Sequence, residues 1–238
     1  MSGADGLGGL LAVLQLSDSA FPSGRYTLSH GLETFTQEGL LERPCAPAAL
    51  AELLGDCIRF GVARSDGVAL ACAHRAVAPD SSIDFELAAR ADKRLSAVKL
   101  AREVREASTR TGRALLIAAT ALQEAGLSDY GRLVDAGRVP GNHAVVLGLL
   151  DALLGVPQLE AVAGELYAFS AGWTAAAVRL GLTDHQTAQW LLHGVRPVLA
   201  EATERAAAGD VEDISSCTPL PDVMSMRHEQ AEIRLFAS

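Results

Sequence analysis

The chain lacks most of the features that would give its chemistry away. Aromatic residues make up only 5% of its 238 residues, and the charge balance has no basic surplus: 20 Lys and Arg stand against 29 Asp and Glu, a net charge of −9. A dedicated nucleic-acid binder carries its surplus the other way. Four cysteines are too few for a disulfide-stapled domain, and Cys45, Cys57, Cys72 and Cys217 form no C-x-x-C pair. They read as reduced thiols of a cytoplasmic protein. No apolar run approaches the ~18–20 residues of a membrane span; Ala114–Ala119 and Ala144–Leu150 are typical of the short runs present. The N-terminus has no basic stretch before its first apolar residues, so no signal peptide is expected.

Catalytic signatures are missing too. There is no G-x-x-x-x-G-K-[ST] phosphate loop. Thr27 stands where a nucleophile elbow around Ser29 needs glycine. His228-Glu229 opens like a zinc-protease helix, but position 232 is Glu rather than His. The six histidines are scattered, none paired with His or Cys at i+3 or i+4, so no mononuclear metal site and no cofactor are expected; a metal shared across a symmetric interface stays open.

What is present is helix. Ala and Leu form about a third of the chain, and strand-forming residues are sparse. Leu50, Leu53, Leu54, Cys57, Ile58 and Val62 repeat at helical spacing. Ser65-Asp66 reads as a cap for a helix over 67–78, and Ser81-Ser82 precedes a periodic run from Ile83 to Val98. Further helices are expected from Ser128 to near Gly137, over 143–154, over 158–180, and from 184 to about 208 with a kink at Pro197. The expected fold is all-α, a single helical-bundle domain over 1–238 with about nine or ten helices. Residues 1–14 are expected to be a flexible N-terminus, with an apolar helix from Leu10 to Leu16.

Two segments break the rhythm. Residues 15–33 hold a turn at Phe21-Pro22-Ser23-Gly24, followed by Tyr26, Ser29, His30 and Glu33. They are either a capped turn leading to a helix from near Thr27, or a recognition loop; on a helix, His30 and Glu33 share a face at i, i+3. The tail, 215–238, starts extended at Pro219 and Pro221. Asp222 then caps a helix with Val223, Met226, Gln230 and Ile233 on one face. A tail this apolar either folds onto its own core or docks on a partner. A third segment, 90–113, carries +5 within 24 residues and leaves −14 on the rest. Its Arg102 and Arg105 belong either to a solvated face with pairs such as Arg102–Glu106 or to a basic face for an acidic partner. Ser108 and Gly112 make a notch for close helix approach.

The two irregular segments carry a resemblance. QLSDSAFPSG (15–24) leading to SHGLE (29–33) resembles the N-terminal signature of the urease accessory UreF family. EVREASTRTG (103–112), GNHAVVLGLLDALLGV (141–156) and AAAVRLGLT (175–183) are similar to its internal motifs, and the tail is very like its C-terminal signature. Arg25 and Thr27 depart from a common form. The resemblance implies a homodimeric, non-catalytic protein. Such proteins bridge UreD (UreH in some organisms) and the GTPase UreG while nickel is loaded into the urease apoprotein. It implies that Arg227, His228, Glu229, Arg234, Leu235 and Phe236 face UreD. It further implies that Gln15, Ser17, Asp18, Pro22, Gly24, Tyr26, Ser29, His30, Gly31 and Glu33 support that face or the dimer. The family's influence on GTP hydrolysis by UreG makes Arg102, Arg105 and Arg234 candidates for an arginine finger by the same resemblance. The alternative from the residues alone is a helical enzyme, or a ligand-binding regulator, using Tyr26, His30 and Glu33.

Overall fold

The computed structural model describes residues 3–122 and 125–230, and among them there are helices and turns but no strand, only one isolated bridge, Val77 to Ile83. The α-helices are α1 (Gly3–Ser17), α2 (Leu32–Gln37), α3 (Pro47–Asp56), α4 (Val68–Arg75), α5 (Phe85–Val98), α6 (Arg102–Ala121), α7 (Ser128–Asp135), α8 (His143–Leu153), α9 (Gln158–Arg179), α10 (His185–Gly194), α11 (Arg196–Ala208) and α12 (Pro219–His228). No helix among the described residues is long and apolar enough to cross a membrane.

At the centre lie α4 and α8. Every residue of α8 from His143 to Asp151 is buried, as are Val68 to Ala73 of α4. A helix apolar all round has nowhere to sit but the middle of a bundle. Glycine lets these two backbones meet: a Cβ on Gly148 would lie 2.4 Å from the Leu70 carbonyl oxygen. The Ser108/Gly112 notch of α6 works similarly, since a Cβ on Gly112 would fall 2.0 Å from the Gly141 carbonyl oxygen. The loop it admits is held by the fully buried Asp92. Its carboxylate accepts hydrogen bonds from Tyr130 Oη (2.7 Å), the Gly141 amide (2.7 Å), the Asn142 amide (2.9 Å) and Asn142 Nδ2 (2.7 Å).

Several expected boundaries move, each for a local reason. The chain is helical from Gly3, where a flexible stretch to residue 14 is expected. Ser65-Asp66 caps nothing. Residues Cys57–Gly67 are π-helical and join α3 to α4 without a break, because Asp66 turns inward to Lys99 and not back to its own backbone. Asp84 caps α5, accepting from the amides of Glu86 and Leu87, so the Ser81-Ser82 pair lies outside the helix. The long helix expected from 184 divides at Gly194–Val195, which puts Pro197 in the first turn of α11, where its missing N–H costs nothing. Pro219 and Pro221 likewise sit in the first turn of α12, so this part of the tail is helical, not extended, and Asp222 is inside it. These divisions account for more helices than the nine or ten expected.

Candidate functional site

Residues 15–33 thread from α1 to α2 in three steps. Ser17 Oγ donates to the Gly164 carbonyl of α9 (3.4 Å), and Asp18 accepts from the Ala20 amide (2.8 Å). Gln15 and Pro22 are exposed. Gly24, at φ 79°, then turns the chain into a 3-10 turn, Arg25–Thr27. His30 (φ 52°) and Gly31 (φ 82°) make a second left-handed bend before α2 begins at Leu32. No helix starts near Thr27, and His30 and Glu33 do not share a helix face, because the bend turns them apart. His30 stacks edge-on against Phe169, 4.8 Å between ring centres, whereas Glu33 reaches α12. Ser29 is buried; the side chain of Tyr26 lies outside the described residues. The His30 and Glu33 of the enzyme alternative are thus not brought together by the fold.

Arg25 opens the first of two charged constellations. Its guanidinium grips Glu165 of α9 with both nitrogens, at 2.6 and 3.0 Å. Its Nη1 also lies 3.2 Å from His143 Nε2. A guanidinium can only donate, so that ring nitrogen accepts and the proton of the neutral ring sits on Nδ1. Burial first, and the Arg25 charge second, lower His143 to about 3. Burial with Arg25 and Arg179 does the same for His30. The 3.9 Å approach of His143 to Glu165 is therefore no ion pair. Lys99 clasps Asp66 at 2.7 and 2.9 Å. Burial acts to raise Asp66, but the Lys99 charge and hydrogen bonds outweigh it and hold the carboxyl below its usual range. Glu165 goes the other way, raised by burial despite Arg25. These groups line a chamber of about 180 Å³ walled by the π-helical segment, the α5–α6 junction and α9. Breaking either buried pair by removing one partner would cost about 3–5 kcal/mol.

The second constellation joins both signature segments. His228, fully buried, sets Nε2 3.1 Å from Glu33 Oε2 and Nδ1 2.6 Å from Glu103 Oε2. Next to it, Glu229 Oε1 accepts from the amides of Arg102 (2.7 Å) and Glu103 (3.3 Å), supplying from another element the cap that Ala101 cannot give α6. Arg227 pairs with Glu38 beyond the end of α2. Gly31 completes the junction, since a Cβ there would lie 3.3 Å from Ser225 Oγ and 3.5 Å from the Pro221 carbonyl. Of the three described tail residues expected to face a partner, His228 and Glu229 point into their own chain, while Arg227, paired with Glu38, stays 57% exposed. The buried side of α12 is Met224, Ser225 and His228, so the Val223 and Met226 side does not pack on the chain's own core; Leu220, Val223 and Met226 are 50%, 42% and 38% exposed. Pairing to carboxylates, not apolar spacing, decides which side turns in. Arg234, Leu235 and Phe236, with Ile233, lie outside the described residues.

Part of the basic segment is bonded within its own chain. Arg105 donates to the carbonyls of Lys99 and Leu100, Arg94 to that of Ile214, and Arg90 pairs with Glu212. Arg102 stays exposed, 3.9 Å from Glu106 and 3.6 Å from Glu229.

The UreF family model matches residues 45–196. The chain is 32% identical over 229 residues to the urease accessory protein UreF of Trichodesmium erythraeum (strain IMS101), covering 96% of each chain. This chain belongs to the UreF family. A UreF of Arthrobacter sp. (strain FB24) is also 32% identical, over 96% of each chain. One from Brucella canis is 31% identical over 97% of this chain and 92% of its own. In this UreF-family chain, Asp66, Lys99, His143 and Glu165 escape sequence reasoning. Their one signal is charged or imidazole residues inside otherwise apolar helical runs, and that pattern names no partner.

Proposed function

We propose that this chain is a urease accessory scaffold that bridges UreD and the GTPase UreG during GTP-dependent insertion of nickel into the urease apoprotein. It acts as a cytoplasmic homodimer without catalytic chemistry of its own. The observation that carries this reading is the alignment, along nearly the whole chain, with proteins named urease accessory protein UreF. The site supports it in a particular way. The charged residues of α12 are spent on the body of the protein, which leaves Leu220, Val223 and Met226 as an outward apolar row. Large side chains left in water along one side of a helix favour a partner that covers them. In this reading UreD docks on that row and on Arg234, Leu235 and Phe236 beyond it, while Arg227, His228 and Glu229 hold the row in place. Residues 15–33 support it from beneath through Gly31 and Glu33.

The test is reconstitution of urease activation from UreD, UreG, apoprotein, nickel and GTP, with and without this chain. Activation that needs the chain is the expected result; full activation without it would refute the proposal. Co-purification of UreD with the full chain and with a 1–214 truncation tests the tail, and equal capture by both would remove it from the interface.

A further inference from the structure

The chamber has a cover, and the cover is attached in an unusual way. Ser216, Thr218, Pro221, Asp222 and Ser225, from the start of α12 and the residues before it, line the chamber together with Asp66 and Lys99. The last main-chain bonds from this stretch to the body are Ser215 N to the Arg64 carbonyl (3.1 Å) and Cys217 N to the Phe60 carbonyl (2.8 Å). At Thr218 (φ −124°, ψ 66°) the backbone leaves that anchorage. Among the described residues, the main-chain hydrogen bonds of α12 thereafter stay within its own segment. Its underside is polar, and Met224 is its one large buried apolar side chain. The bonds that fasten it come from side chains at its far end: Arg227 to Glu38, His228 to Glu33 and Glu103, and Glu229 to the first amides of α6.

We infer that α12 is a hinged lid over the Arg25–Glu165 and Asp66–Lys99 chamber, turning about residues 217–218 and latched at its far end by His228. Among the described residues, the contacts that hold α12 are mostly charged, with one large buried apolar side chain, and such an element opens at a lower free energy than the whole fold, because the charged groups regain water when they part. Opening has a chemical consequence too. It gives water fuller access to two ion pairs and two imidazoles that the closed form leaves largely buried, and shifts each toward its ordinary protonation behaviour.

Two thiols read the motion separately. Cys57 lines the chamber and is buried, its thiol pushed up to about 12, by burial first. Cys72 is fully buried in the core helix α4 and reports unfolding of the body. The experiment uses the full chain carrying Cys45→Ser and Cys217→Ser. Alkylation by iodoacetamide is followed peptide by peptide by mass spectrometry, with and without His228→Gln. The rim variant Arg227→Gln/Glu38→Gln is measured beside it. Cys57 is expected to react about tenfold faster in His228→Gln, and several-fold faster in the rim variant, while Cys72 keeps its slow rate. Parallel acceleration of both thiols would overturn the lid, because the latch would then be holding the whole fold. So would a Cys57 rate that stays at the starting value in the folded variants. If His228→Gln does not fold, the rim variant decides by the same criterion.

Discussion

Asp151, on the face of α8 toward Glu165, is raised to about 8, by burial first and by the Glu165 charge second, from 3.8 in the open chain. Between those values the folded protein holds a proton that the unfolded chain has released, so stability falls as pH rises toward 8. The raised Glu165 carboxyl acts in the same sense. His30 and His143 act in the opposite sense. Lowered from 6.5 to about 3, they stay neutral in the fold while the unfolded chain takes up protons, so stability falls as pH drops below 6.5. Stability is therefore expected to peak between about pH 6 and 7, and to fall by about 1.4 kcal/mol per pH unit on the alkaline side through Asp151. Asp151→Asn should flatten the alkaline side and steepen the acid side, where Asp151 opposes the two histidines down to about pH 4. Urea unfolding on both sides of the peak measures this, and an alkaline slope unchanged in the variant would remove Asp151 as its cause. None of this was legible in residue order: Asp151 read as the polar end of an apolar run, and His143 as one scattered histidine among six.

At the scale of elements, the long periodic helices were the legible part. The run expected over 158–180 is Gln158–Arg179, and that over 143–154 is His143–Leu153. The readings that moved did so where a polar side chain had a distant partner in place of a local one. Asp66 passes for a cap until Lys99 is placed beside it, and Val223 and Met226 pass for a core face until His228 is set between two carboxylates. The small-residue notch of α6 was legible, and its energetics follow from the spacing. Gly112→Ala would drive a methyl group into the Gly141 carbonyl and the loop that Asp92 holds, so it is expected to destabilise by about 2–3 kcal/mol. Gly131, inside α7, has open space where its Cβ would stand. Gly131→Ala is expected to stabilise by about 0.5–1 kcal/mol. Denaturant melts of the two variants compare a helical glycine needed for contact with one that is not; equal shifts would contradict the packing at Gly112.

Across the whole molecule, the net charge of −9 conceals a basic segment, half of whose eight cations turn back on their own chain, through Arg90, Arg94, Lys99 and Arg105. The outward apolar residues are the better guide to partners. Leu220→Ser, Val223→Ser and Met226→Ser together are expected to weaken capture of UreD by at least about tenfold, and to change the unfolding free energy by less than about 0.5 kcal/mol, because the three side chains are already exposed. Undiminished capture would move the docking face elsewhere. The anchor behind that face has a further property. Residues 215 and 217 are tied to the wide turns of Cys57–Gly67 by main-chain amides alone, each lent to a carbonyl of the facing segment. Such an attachment is indifferent to side-chain identity, and proline is the one residue that could not make it. Substitution at these two positions can therefore run through almost the whole amino-acid alphabet while the pivot persists, and kinship between sequences there carries no information about whether the pivot is present.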